Sequence, residues 1–355
     1  MAADSQDADE DDAFAGSGDV PVGVKLGSTR TVVQYPDDSD VLSTVRTLTC
    51  LATYEDALTG DERVLYGEQA AQEYPDRVEY PLRSGLPEGE AGADKAERFF
   101  TELVSSREVP EDSAVVYAVP TIDNEAGLDN LTDVVESSPV GESLTRSYPE
   151  SLCGAIPAYG DGLDAVDDIF VAVNMGSTNL EASAYRRGEQ LSPFTTGAVT
   201  GNGVDRAVAA AVEEETQGRV NVDVETAREY KEEHADFDDF DPFSDVLQQP
   251  GGGSHEFTVE RGVMDPLEEY LDRVVDAVAN EFLPTLANDH MKPYQIALDR
   301  PVALTGGMAC IPGVVGEFER RLGAELDRDV TATAADRPDL AAAVGARRIA
   351  ERLAD

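Results

Sequence analysis

The sequence predicts an α/β protein built from two related lobes that share one cleft. Three observations predict it. Short runs of small and β-branched residues alternate with amphipathic stretches along most of the chain. The segment Val22-Gly-Val-Lys-Leu-Gly-Ser-Thr29 is echoed half a chain later by Val171-Ala-Val-Asn-Met-Gly-Ser-Thr178. A third apolar run, Val302-Ala-Leu-Thr-Gly-Gly307, also ends in glycines. Each echo reads as a buried strand, a tight Gly-Ser-Thr turn and a second strand, so a duplicated architecture would bring one such turn from each lobe to the cleft.

The elements follow in order. Residues 1–19 are acidic, small and glycine-bearing, and read as a disordered tail. They lack the basic and bulky apolar residues of a membrane-surface helix. Val22–Leu26 and Thr31–Tyr35 form the first hairpin. Ala114–Val119 is a buried strand stopped by Pro120, and Asn124–Glu136 a helix. Leu180–Tyr185 completes the second hairpin. Asp205–Glu215 and Val224–Glu233 read as helices. The stretch 237–254 is turn-rich, acidic and aromatic. It reads as a flexible surface excursion, with an interaction loop as the alternative. Asp265–Leu283 has helical periodicity with Pro266 in its first turn. Val302–Leu304 is a short strand, Gly313–Leu322 a helix, and Leu340–Leu353 an alanine-rich final helix.

Composition narrows the function. The chain has 355 residues, 72 acidic against 27 basic, for a net charge of −45, yet 41% are hydrophobic. That is enough apolar material for a core. The negative field argues against a broad nucleic-acid or anionic-membrane surface. No run approaches the ~20 apolar residues that span a bilayer, and no signal-peptide core is visible, so a cytoplasmic location is expected. The lysines are Lys25, Lys95, Lys231 and Lys292 alone. An acid-rich, lysine-poor surface resembles that of proteins working in molar salt, as in salt-in haloarchaea. Cys50, Cys153 and Cys310 lack metal spacing and are expected as buried thiols. His234, His255 and His290 are expected at surface or loop positions. No metal site is predicted from spacing.

The chemistry lies in the three glycine turns. Glycine lets backbone N–H groups approach phosphate oxygens closely, and Ser and Thr hydroxyls add donors. There is no Gly-x-x-x-x-Gly-Lys-Ser/Thr loop and no Gly-x-Gly-x-x-Gly fingerprint. Taken together over residues 20–355, the turns resemble the actin superfamily, in particular its MreB-like and haloarchaeal members. Val22–Val33 resembles the first phosphate motif, Val171–Tyr185 the second, and Val302–Gly313 the adenosine motif. Glu150–Ile156 and Asp336–Ala350 resemble the two connecting helices, and Thr226–Glu232 the helix that offers a Lys/Glu pair to the nucleoside.

The resemblance implies two lobes, each around a five-stranded mixed sheet flanked by helices, with a nucleotide cleft between them. Lobe I would comprise 20–165 and 336–355, with an insertion near 36–80. Lobe II would comprise 166–335, with an insertion near 201–268. It implies ATP or ADP as ligand and a homopolymeric filament as the assembly. Gly27, Ser28 and Thr29 would cradle phosphate from one side, and Gly176, Ser177 and Thr178 from the other. Gly306, Gly307 and Met308 would pack on adenosine, and Lys231 and Glu232 would reach the ribose or base. Glu150 would position the attacking water; its other reading is a carboxylate favoured by the helix dipole.

Two positions depart from the family. It places aspartates, which hold hydrated Mg²⁺, where this chain has Lys25 and Asn174. Mg²⁺ is therefore weakly supported, and hydrolysis is left open. Either Lys25 contacts phosphate and partly replaces the metal, or it pairs with a neighbouring carboxylate. The remaining alternatives are a small-molecule kinase or DnaK-like ATPase of the same fold, and a non-hydrolysing monomeric adaptor.

Overall fold

A computed structural model describes residues 20–354 except 38, 40, 112, 142 and 249–253. The tail expected over 1–19 lies outside the described residues. Strands β1 (Val20–Leu26) and β2 (Arg30–Pro36) form the first hairpin, and β3 (Leu42–Leu48) extends it. A small sheet follows from β4 (Leu51–Glu55), β5 (Glu62–Tyr66) and β6 (Val78–Glu79), with α1 (Gly67–Glu73) packed against it. The chain continues through α2 (Gly89–Ser106), β7 (Ser113–Val119), α3 (Glu125–Glu136), β8 (Leu144–Pro149) and α4 (Glu150–Ala155). The first main sheet has the order β3-β2-β1-β7-β8. Its first three strands are antiparallel neighbours, whereas β7 runs parallel to β1 and β8 to β7.

The second half repeats this plan. Strands β9 (Ile169–Met175), β10 (Leu180–Arg186) and β11 (Glu189–Thr196) form an antiparallel meander. Helices α5 (Gly201–Glu215) and α6 (Val224–His234) follow, then a hairpin of β12 (Phe243–Gln248) and β13 (Ser254–Val259). Next come α7 (Met264–Asp276), a π-helical segment over Ala277–Phe282, α8 (Leu283–Asp289) and α9 (Met291–Ala297). β14 (Val302–Thr305), α10 (Val314–Leu326), β15 (Ala332–Ala334) and α11 (Ala341–Ala354) complete the chain. The second main sheet, β11-β10-β9-β14-β15, has the same order and strand directions as the first. The echo in the sequence is thus a duplication of the whole sheet.

Each main sheet has its own core. In the first, β1 and β7 pack with Phe99, Phe100, Leu103 and Val104 of α2 and Leu131, Val134 and Val135 of α3. In the second, β9 and β10 pack with α5, α7 and α10. The connecting helices α4 and α11 run between these layers through small residues. A Cβ on Gly345 would lie 1.9 Å from the carbonyl oxygen of Cys153. Only glycine allows that approach of α11 to α4, and Gly23 allows the matching approach to β1, where a Cβ would lie 2.1 Å from the Ala343 carbonyl oxygen.

Four local expectations are corrected. The stretch 237–254 contains strand β12, which pairs with β13 at and beyond its end: Phe243 stacks on His234 at a ring separation of 3.6 Å, and Phe257 and Val259 are buried. Phe243 and Asp245 before the glycine run, and Phe257 and Val259 after it, carry a strand period that the glycines between them mask. Helix α5 begins at Gly201, four residues earlier than expected, because Thr200 caps it by accepting from the Gly203 N–H at 3.0 Å. Cys310 is exposed, while Cys50 and Cys153 are buried as expected. β3 lies within the span expected as an insertion, yet it is a strand of the first main sheet.

Candidate functional site

The turns after β1, β9 and β14 converge on a cavity of about 340 Å³ between the two sheets. Gly27, Ser28 and Thr29 line one side and Gly176, Ser177 and Thr178 the other. The two turns touch: Ser28 Oγ and Ser177 Oγ are 2.7 Å apart and share a hydrogen bond. Gly307 and Met308 line the third side. Gly306 turns the chain behind them at φ +91°, a conformation that side chains resist. Lys25, Glu150, Asn174, Lys231 and Glu232 also line the cavity. The structure thus brings the sequence-predicted residues into one place.

The floor of the cavity is a buried polar cluster. β-Pleating alternates side chains, so Lys25 and Asn174 point to the same relative position in their two sheets, each two residues before its glycine. Lys25 Nζ pairs with Glu150 Oε1 at 2.7 Å, the carboxylate rival weighed from sequence. Burial alone would lower the Lys25 pKa, but Glu150 in contact and Glu181 nearby overcome it and raise the value. Glu181 sits on β10 directly opposite Asn174. Its carboxyl is pushed up to about 8, first by burial and then by the charge of Glu150, with Thr121 and Lys25 opposing. Glu181 Oε2, Asn174 Oδ1 and Asn202 Oδ1 are buried without a protein partner. Unpaired acceptors of this kind are costly, and a donor-bearing ligand or ordered water satisfies them.

Glu181 gives the fold a pH dependence. Because the native pKa lies above the ordinary value near 4.5, the folded state binds the extra proton between those limits. Stability therefore falls as pH rises from about 4.5 to about 8, by an amount on the order of a few kcal/mol. Glu181→Gln is expected to flatten that part of a urea-denaturation profile measured from pH 5 to 9. An unchanged slope in the variant contradicts the assignment.

The cavity walls are cationic but paired. Asp205 on α5, 1% exposed, accepts from Lys231 Nζ at 2.5 Å and Arg228 Nε at 3.0 Å, both on α6. Burial pulls the Arg228 pKa down, yet Asp205 and Glu225 pull it up further. Glu232 is held by Arg30 of β2 through two parallel bonds of 2.8 and 3.0 Å, which bridge the lobes at the cavity mouth. Burial opposes ionisation of Glu232, but Arg30 brings its pKa below the usual carboxylate range. Asp339, just before α11, receives Arg337 at 3.0 Å and Arg46 of β3 at 3.0 Å. Lys231 is therefore committed to Asp205 and Glu232 to Arg30.

Several of these partners escaped sequence reading. Glu181 had a signal: it is the lone acid in the small and apolar strand Leu180-Glu-Ala-Ser-Ala-Tyr185. Asp205 stands on the buried face of its helix, which the 3.6-residue period could have flagged. Arg337 and Asp339 pair locally, two residues apart, but Arg46 meets Asp339 only through tertiary folding.

Mg²⁺ fits these residues poorly. Its octahedral oxygen shell uses carboxylates and water. The two family aspartate positions here hold an ammonium and an amide; of the carboxyls beside them, Glu150 is paired with that ammonium, and Glu181 is buried with its charged form disfavoured. Among the described residues no group of three His, Cys, Asp or Glu side chains could hold a metal. Among them, too, no helix is long and apolar enough to cross a membrane.

Comparison with known proteins places this geometry. The salactin family pattern matches residues 19–354. Salactin of Halobacterium salinarum is 66% identical over 335 residues, covering 94% of this chain and 92% of that protein. MreB5 of Spiroplasma citri bound to ADP superposes with a TM-score of 0.74 at 14% identity, covering 94% and 96% of the two chains. The same protein bound to AMPPNP gives a TM-score of 0.75 at 14% identity, with the same shares covered. MamK in a double helical filament gives 0.72 at 19% identity, covering 93% and 98%. The fold is actin-like, of the MreB type, and the chain belongs to the salactin family.

Proposed function

We propose that this salactin-family chain binds ATP or ADP in the interlobe cavity and assembles head to tail into cytoskeletal filaments. The observation that carries the nucleotide is the convergence of three glycine turns on one cavity of about 340 Å³. Arg30, Arg46, Arg228 and Arg337, with Lys25 and Lys231, line it in a chain of charge −45. These six cations face five lining carboxyls, Glu150, Glu181, Asp205, Glu232 and Asp339, so the cavity is close to charge balance and far less repulsive to a polyanionic ligand than the molecule as a whole. Unpartnered Asn202 Oδ1 adds an acceptor for a hydroxyl or amine of the nucleoside. Assembly is supported by the likeness in fold to MamK, solved as a double helical filament. A repeated head-to-tail contact that does not close gives a filament.

In this reading lobe I comprises 20–165 and 336–355, and lobe II 166–335. The protein works in the cytoplasm without nucleic acid or membrane insertion. ATP hydrolysis is slow, because positioning water requires a free, oriented carboxylate and Glu150 is engaged by Lys25 at 2.7 Å. Electron microscopy of the protein in molar KCl, with and without ATP, tests the function. Filaments that need ATP support it; monomers under every nucleotide condition refute it.

The surface makes a separate prediction. Molar salt shortens electrostatic repulsion to about 3 Å. The midpoint of thermal unfolding is therefore expected to rise steadily as KCl increases from about 0.5 M to about 3 M. A flat or falling midpoint, read by circular dichroism, contradicts a salt-adapted surface.

A further inference from the structure

We propose that the cavity takes its nucleotide without a divalent cation, with the Lys25 ammonium as the built-in counter-ion of the phosphates. This rests on the nucleotide reading above and names the form of the ligand: free nucleotide rather than its magnesium complex.

The geometry starts at the first turn. Lys25 Cε lies 3.3 Å from where a Cβ of Gly27 would sit, so the side chain curls against the turn whose residues Gly27, Ser28 and Thr29 line the cavity. An ammonium has three donors. The bridge to Glu150 takes one, and two remain for oxygens of a ligand. Glu150 keeps the ammonium charged inside the protein, so the cation is available before any ligand arrives. Phosphate then completes its shell without breaking the bridge.

The opposite side of the site is built to match. Asn174 Oδ1, buried and unpartnered, lies 2.6 Å from where a Cβ of Gly306 would sit, beneath the third turn. Asparagine there supplies a neutral amide, which neither repels phosphate nor offers an anionic oxygen to a metal. Glu181, facing Asn174 across the strand pair, is a second carboxyl near Lys25 and Glu150, and Asp339, which also acts on Lys25, is held by Arg46 and Arg337. Thr121 donates to Glu181 and Tyr185 lies near. Burial and the charge of Glu150 raise the Glu181 pKa, which disfavours the charged form that a metal would use. A divalent ion placed among these groups would meet the fixed Lys25 ammonium, a carboxylate already paired with it and a buried carboxyl whose charged form is disfavoured. The alternative is that Lys25 and Glu150 form only an internal brace with no part in binding.

Calorimetric titration of ATP into the full chain in molar KCl, once with Mg²⁺ and once with EDTA, decides between them. The two affinities are expected to agree within about threefold. Lys25→Met should weaken binding in EDTA by about tenfold or more, and Lys25→Arg, which keeps the charge and the bridge, should restore most of it. Circular dichroism confirms that each variant is folded. Loss of about tenfold or more by the unmodified protein on chelation, with binding intact in Mg²⁺, overturns this proposal and leaves the nucleotide reading standing. Undiminished EDTA binding by folded Lys25→Met overturns it as well. Absence of binding in both conditions overturns the nucleotide reading and this proposal with it.

Discussion

Gly307→Trp is expected to lose about 100-fold or more in affinity for ATP while keeping the stability of the parent. Gly307 lines the cavity, and a Cβ built on it meets nothing within 4 Å. The new side chain therefore has room to leave the backbone undisturbed, and the room it has is the ligand's. An indole displaces most of a nucleoside from a cavity of about 340 Å³. Gly306 behaves differently. At φ +91°, with a Cβ only 2.6 Å from the Met175 carbonyl, even alanine strains the backbone, at a cost of about 1–3 kcal/mol or more. Gly306→Ala is thus a stability variant and Gly307→Trp a binding variant. The chain has no tryptophan, so the substitution also reports its own surroundings by fluorescence. Wild-type affinity in a folded Gly307→Trp protein removes the site assignment.

Asp205→Ala is expected to destabilise the fold by about 3–5 kcal/mol, the largest single loss anticipated. The carboxylate is 1% exposed and holds two cations, Lys231 and Arg228, whose side chains are themselves only 8% and 12% exposed. Removing it leaves both charges in a poorly solvated wall with Glu225 as the remaining anionic partner of Arg228. Urea denaturation in molar KCl measures the loss, since that salt already screens the surface and isolates the buried term. Asp205→Asn should recover part of it by keeping an acceptor. A change within about 0.5 kcal/mol for Asp205→Ala contradicts the account of the wall.

The parts of the fold that could be read from sequence are those with strong local chemistry. The hairpins over Val22–Tyr35 and Val171–Tyr185 were legible because each joins a run of small and β-branched residues to a Gly-Ser-Thr turn. Repetition then revealed the duplication. β3 was not legible: exposed Leu42, Thr44 and Arg46 alternate with partly buried Ser43 and Val45, a weak edge pattern. The β12–β13 hairpin was hidden behind its glycines. In the site, the glycine turns were found because backbone approach requires glycine in a recognisable order. Side-chain partnerships were not, because Lys25–Glu150, Arg30–Glu232 and Arg46–Asp339 join residues more than a hundred positions apart. The resemblance to the actin superfamily implied Lys231 and Glu232 as nucleoside contacts; the structure shows both already paired with protein. A ligand must compete with Asp205 and Arg30 for them or bind beside the pairs.

Sedimentation in molar KCl tests the central claim, that filling the cavity drives assembly. The unmodified protein is expected to pellet above a threshold concentration with ATP and to stay in solution without it. Gly307→Trp, folded but with its cavity blocked, is expected to stay in solution at the same concentrations with ATP present. Equal pelleting of the two proteins, or no pelleting of the unmodified protein with any nucleotide, would contradict the account.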